Sequence, residues 1–190
     1  MPIALVVDPV LRLEDRRRLR AGQSVRIAGQ LLTARDAACR RMVEALRSGA
    51  PLPVELAGRV VYAVGPTPPR PGQVVGSAGP TTVTRLLPFL DALLGAGVAA
   101  FIGKGDLPPE GADLFRRHGA VYFAAVGGAG ASLARTITSA TVLAYPDLDA
   151  EAVRLLRVVE FPAVVAVDVE GRNLHATARA EWQARLRSPR

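Results

Sequence analysis

VAAFIGKGDLPPEGADLFRRHGAVYFAAVGG, residues 98–128, contains two apolar runs of strand length with a helical segment between them. The runs at 98–103 and 121–128 are too short for buried helices and too apolar for exposed strands. The intervening 110–118 carries its apolar residues at helical spacing and follows a Pro-Pro pair, which suits a helix start. Strand, helix, strand in that order is the unit of a parallel sheet with helical crossovers.

Working outward, the beat continues. A helix is expected at 130–137 (GASLARTI) and a strand at 141–145 (TVLAY). Toward the N-terminus, 3–7 reads as a strand and 13–20 as a short polar helix. SVRIAGQLL, 24–32, reads as a strand bent at Gly29, and 36–47 as a helix closed by Gly49. RVVYAVG supplies a short buried strand over 60–64. Pro88 places the next helix either late, with the proline in its first turn, or kinked. Residues 156–159, FPAVVAVD (161–168) and a short strand after EGR (170–172) read as antiparallel additions, followed by a polar tail over 176–190 with a helix over 178–187 containing Trp182. The expectation is one α/β domain over 1–190, with a mainly parallel central sheet and a smaller antiparallel sheet.

Composition narrows the function classes. The chain has 190 residues, 49% of them hydrophobic, enough for a real core. The longest apolar run, 86–102, is broken by Pro88, Asp91 and glycines and falls short of the roughly 20 residues a membrane span needs. The start, MPIALVVDPV, lacks the charged segment of a leader, and a cytoplasmic location is expected. Cys39 is the only cysteine, and His118 and His175 the only histidines, so disulfides and a self-contained metal site are not expected. The net charge of +7 rests on scattered arginines. Its densest cluster, Arg16 to Arg18 with Arg12 and Arg20, shares a short segment with Glu14 and Asp15 and reads as a solvated face, next as a subunit contact, and last as a nucleic-acid surface.

Three loops follow apolar strands, at the carboxyl edge where open α/β sheets bind ligands. TARDAAC (33–39) offers Arg35 and Asp36; Asp36 also reads as a helix cap. IGKGD (102–106) places the sole lysine, Lys104, between Gly103 and Gly105, where the backbone can approach a ligand. VGGAGAS (126–132) reads as tight strand–helix packing. A fourth segment, SAGPTTVTR (77–85), brings Thr81 and Thr82 to a helix start, with Arg85 about one turn on. It reads either as an anion site or as a threonine cap with an incidental arginine. Three cations and two hydroxyls describe a pocket for a small dianion such as a dicarboxylate. A histidine or carboxylate acid/base, a nucleophile and metal ligands are missing from the set, so it reads as half of a site.

TARDAAC, GPTT-x-x-R, IGKG, VGGAGA and EFPAVVAVDVEGRNL, in that order and spacing over residues 13–174, resemble one family. It is the β subunit, or C-terminal domain, of the iron–sulfur-dependent class I fumarases and L(+)-tartrate dehydratases. The resemblance implies a swivelling β/β/α domain and a hydro-lyase acting on a small dicarboxylate, in a heterodimer or dimer of heterodimers. It implies a [4Fe-4S] cluster held by three cysteines of an α subunit and none of this chain. It also implies that Arg35, Arg85 and Lys104 hold the substrate carboxylates, beside Thr82 and Gly103, and that Thr81 removes the proton. Asp36 and Cys39 stand behind these groups. The chain departs from the family in having Cys39 where RDAAH has histidine, and Leu86 where methionine is usual. Those departures keep open a second reading, a non-catalytic anion-binding or regulatory module of the same fold.

Overall fold

A computed structural model describes residues 1–187. It contains strands β1 (Ile3–Val7), β2 (Ser24–Thr33), β3 (Val60–Tyr62), β4 (Ala100–Gly103), β5 (Val121–Ala124), β6 (Ile137–Ala144) and β7 (Val153–Val167). Its helices are α1 (Leu13–Arg18), α2 (Asp36–Ser48), α3 (Leu87–Gly95), α4 (Pro109–Arg117), α5 (Gly130–Ala134) and α6 (Leu174–Arg187).

Strands β1 to β5 pair in parallel, each with the next, as the strand–helix–strand beat requires. The antiparallel part is not a separate sheet. β7 pairs with β5, β6 and β2, so the pairings run β2–β3–β4–β5–β7 and return to β2, leaving one seven-stranded sheet partly closed as a barrel. The period of two along the strands then builds two cores. Val60, Tyr62, Ala100, Ile102, Val121 and Phe123 face one cluster with Ile27, Phe161 and Val165. Val61, Phe101 and Tyr122 face the other, against Met42 and Val43 of α2, Leu90 and Leu94 of α3, and Phe115 of α4. Three helices thus cover one face.

Several expected boundaries are corrected. The helix expected over 130–137 ends at Ala134, and Ile137 already opens β6. The two strands expected around 156–168 are one, β7, carried through a bulge where Glu160 has φ 54° opposite the shift between Ile27 and Gly29. The strand expected after EGR is only a bridge between Val167 and Asn173, and α6 begins at Leu174 rather than 178. Of the polar tail expected over 176–190, residues 188–190 lie outside the described residues. Pro88 does sit in the first turn of α3, after a 3-10 turn over Val83–Leu86. Among the described residues no helix is long and apolar enough to cross a membrane.

Gly29 permits the bend in β2. Its φ is +120°, and a Cβ there would lie 1.9 Å from the Val7 carbonyl oxygen, so no larger residue fits without moving β1.

Candidate active site at the carboxyl edge of the parallel strands

Four segments meet where β2, β3 and β4 end. Residues 80–82 run between the ends of β3 and β4. The Thr81 N–H donates to the Ala63 carbonyl at 2.7 Å, and the Lys104 N–H donates to the Thr81 carbonyl at 2.9 Å. Val83 N–H returns to the Lys104 carbonyl at 2.9 Å, so Thr82 and Lys104 form a parallel bridge. Gly103 makes room for this insertion: a Cβ on it would stand 3.1 Å from the Thr81 carbonyl oxygen. The loop is therefore an extra rung of the sheet, and it fixes Thr81, Thr82 and Lys104 as one rigid unit.

Thr82 is also the N-terminal boundary of the 3-10 turn that carries Arg85. The tight turn brings the guanidinium back to α2. Arg85 Nε donates to Asp36 Oδ1 at 3.0 Å, and its Nη2 lies 3.0 Å from Oδ2. Asp36 Oδ2 also faces Arg35 Nε at 3.7 Å. Two cations thus share one carboxylate in the first turn of α2, where the helix dipole favours negative charge.

Asp36 does not cap its helix. The N-cap position is Arg35, whose side chain makes no capping bond. Glu151 does the work: Oε2 accepts from the Ala37 N–H at 2.8 Å, and Oε1 lies 3.4 Å from Arg35 Nη2. Sequence reasoning missed this residue. The available signal was negative, since an arginine at an N-cap obliges another side chain to satisfy the free N–H groups.

Polar satisfaction singles out Thr81. The buried polar side chains are Thr33, Thr81, Asp168 and Asn173. Thr33 bridges β2 to the start of β7, Asp168 accepts from Ala21, Glu170 and Arg172, and Asn173 bonds Leu107 and the start of α6. Thr81 is 8% exposed as a residue; its hydroxyl makes no hydrogen bond among the described residues and reaches solvent, so it is open to a ligand rather than committed to the fold. Lys104, half-buried, has no ion pair among the described residues, and its stem lies along Gly127. Arg35 Nε is buried without a hydrogen bond.

Cys39 lies beneath this cluster, fully buried. Burial first, then the charges of Asp36 and Glu151, push its thiol far above the usual range. A thiol so buried and so disfavoured from ionising packs as a small apolar group rather than serving as a nucleophile. Among the described residues no group of three or more histidines, cysteines and acids is placed to hold a metal. VGGAGAS behaves as packing: a Cβ on Gly130 would come within 2.3 Å of Ser77 Oγ.

Residues 4–178 match a sequence model described as Fumarase C-terminus. The chain is 34% identical over 161 residues to Fumarate hydratase 2 of Leishmania major, a match covering 84% of this chain and 28% of that protein. It is 32% identical over 147 residues to Fumarate hydratase class I, aerobic, of Escherichia coli K12, covering 76% of this chain and 27% of that protein. With "Putative L(+)-tartrate dehydratase subunit beta" of Methanocaldococcus jannaschii it shares 32% identity over 171 residues, 87% of this chain and 88% of that protein. The chain therefore spans just over a quarter of the two fumarate hydratases and most of the β subunit.

Proposed function

Because this chain belongs to the fumarase C-terminus family of hydro-lyases, we propose that it is the β subunit of an iron–sulfur-dependent enzyme hydrating a small dicarboxylate. Fumarate and malate are the first-choice pair, and tartrate dehydration is the second. The near-complete overlap with a protein named as a β subunit supports a separate chain that works with an α subunit, as a heterodimer or a dimer of heterodimers in the cytoplasm. In this reading the barrel is a swivelling β/β/α domain that closes over the partner's half of the site.

With Cys39 its one cysteine, and that one buried, this chain has no set of thiolates to offer an iron–sulfur cluster. In this reading the [4Fe-4S] group belongs to the α subunit. What this chain contributes is charge and a hydroxyl. Arg35 and Arg85 offer guanidinium forks to the carboxylates, and Lys104 offers a point charge. Thr82 and the backbone at Gly103 line the same edge. Thr81 Oγ1, ionised to the alkoxide, takes the proton from the carbon next to the hydroxyl-bearing one in dehydration as hydroxide leaves the latter, and it returns that proton when hydroxide adds in hydration. A hydroxyl is a poor base, so it needs neighbouring cations in a site closed to water.

The observation that carries this reading is the loop unit that holds Thr81 and Lys104 together, in which the Thr81 hydroxyl has no hydrogen bond among the described residues and reaches solvent. The test is co-expression with a three-cysteine subunit under anaerobic conditions, followed by assays on fumarate, malate and tartrate. The complex is expected to turn over, and the Thr81→Ala and Lys104→Ala complexes to be nearly inactive. Full activity in both variants, or enzymic rates from the isolated chain, would overturn the assignment.

A further inference from the structure

The segment from Tyr145 to Ala152 crosses the N-terminus of α2 and is held there with unusual thoroughness. Two of its non-glycine residues are left-handed: Tyr145 at φ 53° and Asp149 at φ 46°. Such residues persist only when their surroundings fix them, and they gather at functional sites. Here the surroundings are explicit. Arg154 donates to the Asp149 carbonyl at 2.6 Å and to the Ala150 carbonyl at 3.2 Å. Arg41 of α2 pairs with both carboxylate oxygens of Asp147 and stacks over the Tyr145 ring, 5.2 Å from its centroid. The buried Thr33 hydroxyl donates to the Ala152 carbonyl and accepts from the Arg154 N–H.

All this fixes one side chain that faces the site, Glu151. Its carboxylate joins the Ala37 N–H to the Arg35 guanidinium. Gly65 closes in on the same guanidinium, since a Cβ there would stand 2.9 Å from Arg35 Nη1 and 3.2 Å from the Ala150 carbonyl oxygen. With Glu151 and Asp36 both near it, the Arg35 side chain has little freedom to turn, yet its Nε keeps no hydrogen bond.

We propose that Glu151 is a positioning residue for Arg35: its carboxylate ties the guanidinium to the N-terminus of α2 and sets the direction in which Arg35 meets a substrate carboxylate. The inference rests on the reading of Arg35 as a carboxylate-holding group. It differs from a capping role in what the glutamine variant should do. Glutamine keeps an amide oxygen for the Ala37 N–H but loses the charge that holds Arg35.

Two measurements test it. In the full chain, the Nη–H resonance of Arg35, assigned by its loss in Arg35→Lys, should be resolved by slow rotation about Nε–Cζ because Nη2 faces Glu151, and should average or vanish in Glu151→Gln. An unchanged resonance overturns the proposal whatever the activity. In the α–β complex, Glu151→Gln should raise KM for the dicarboxylate roughly tenfold with kcat altered less than about threefold, the pattern of lost binding geometry. A parent-like KM also overturns it. Arg35→Lys separates the two ideas. If that variant leaves KM unchanged, the reading of Arg35 fails, and the resonance still judges whether Glu151 positions it. Glu151→Ala removes the cap as well and should lower the melting temperature, which the glutamine variant should not do.

Discussion

Replacing Thr81 by valine keeps nearly the same shape and removes only the hydroxyl. That hydroxyl has no hydrogen bond among the described residues, and the residue is 8% exposed. The hydroxyl still reaches solvent, so no protein hydrogen bond is lost with it and no unpaired buried atom is relieved. Thr81→Val should therefore change the stability of the isolated chain by no more than about 0.5 kcal/mol, a shift under roughly 2 °C in melting temperature for a domain of this size. The same change should lower kcat of the α–β complex by about 10²–10⁴, the usual worth of a positioned acid–base group. Thermal unfolding of the chain alone and initial rates of the complex supply the two halves. A variant that melts several degrees below the parent would mean that the hydroxyl is structural. One that keeps its rate would mean that Thr81 is not the base.

Asp36→Asn should loosen both arginines at once, raising KM roughly tenfold in steady-state kinetics. It should cost under about 1 kcal/mol in urea unfolding, since Arg85 is more than half exposed. Cys39 predicts an alkaline limb. Its thiol is raised in the fold, so its contribution is intact below the unfolded thiol's pKa and is lost as pH rises above it, with a slope approaching about 1.4 kcal/mol per pH unit between roughly pH 9 and 10. Cys39→Ala should flatten that slope in denaturant unfolding, whereas above about pH 10 the buried, likewise raised Tyr62 and Tyr122 add a slope of their own in both proteins. Gly29→Ala should cost about 4 kcal/mol or more, because its Cβ meets the Val7 backbone and φ is +120°. A parent-like urea midpoint for that variant would contradict the close approach.

The parallel half of the barrel was legible because its signals are local. Apolar runs at 100–103 and 121–124, a proline-led helix between them and glycines at the loop ends state the arrangement within thirty residues. β7 was not legible as one strand. Glu160 and Pro162 look like a turn, and only pairing with the bent stretch around Gly29 makes them a bulge within a continuous strand. Closure of the sheet leaves no local mark, because it is decided by partners far apart in sequence. At the candidate site, Arg35 and Lys104 stood out as cations after apolar strands, and Thr81 and Arg85 as a hydroxyl and a guanidinium at an expected helix start. Glu151 was hidden in PDLDAE, whose acids resemble an ordinary solvated turn until the fold lays them across α2.

The ring closes through contacts between residues near position 27 and residues near position 161. During synthesis, the N-terminal strands must wait with an open edge until almost the whole chain has left the ribosome. Such high contact order makes folding slow and leaves an aggregation-prone intermediate. Chaperone demand in the cell, and yield on fast overexpression, should therefore depend on how soon β7 becomes available rather than on the stability of the finished barrel.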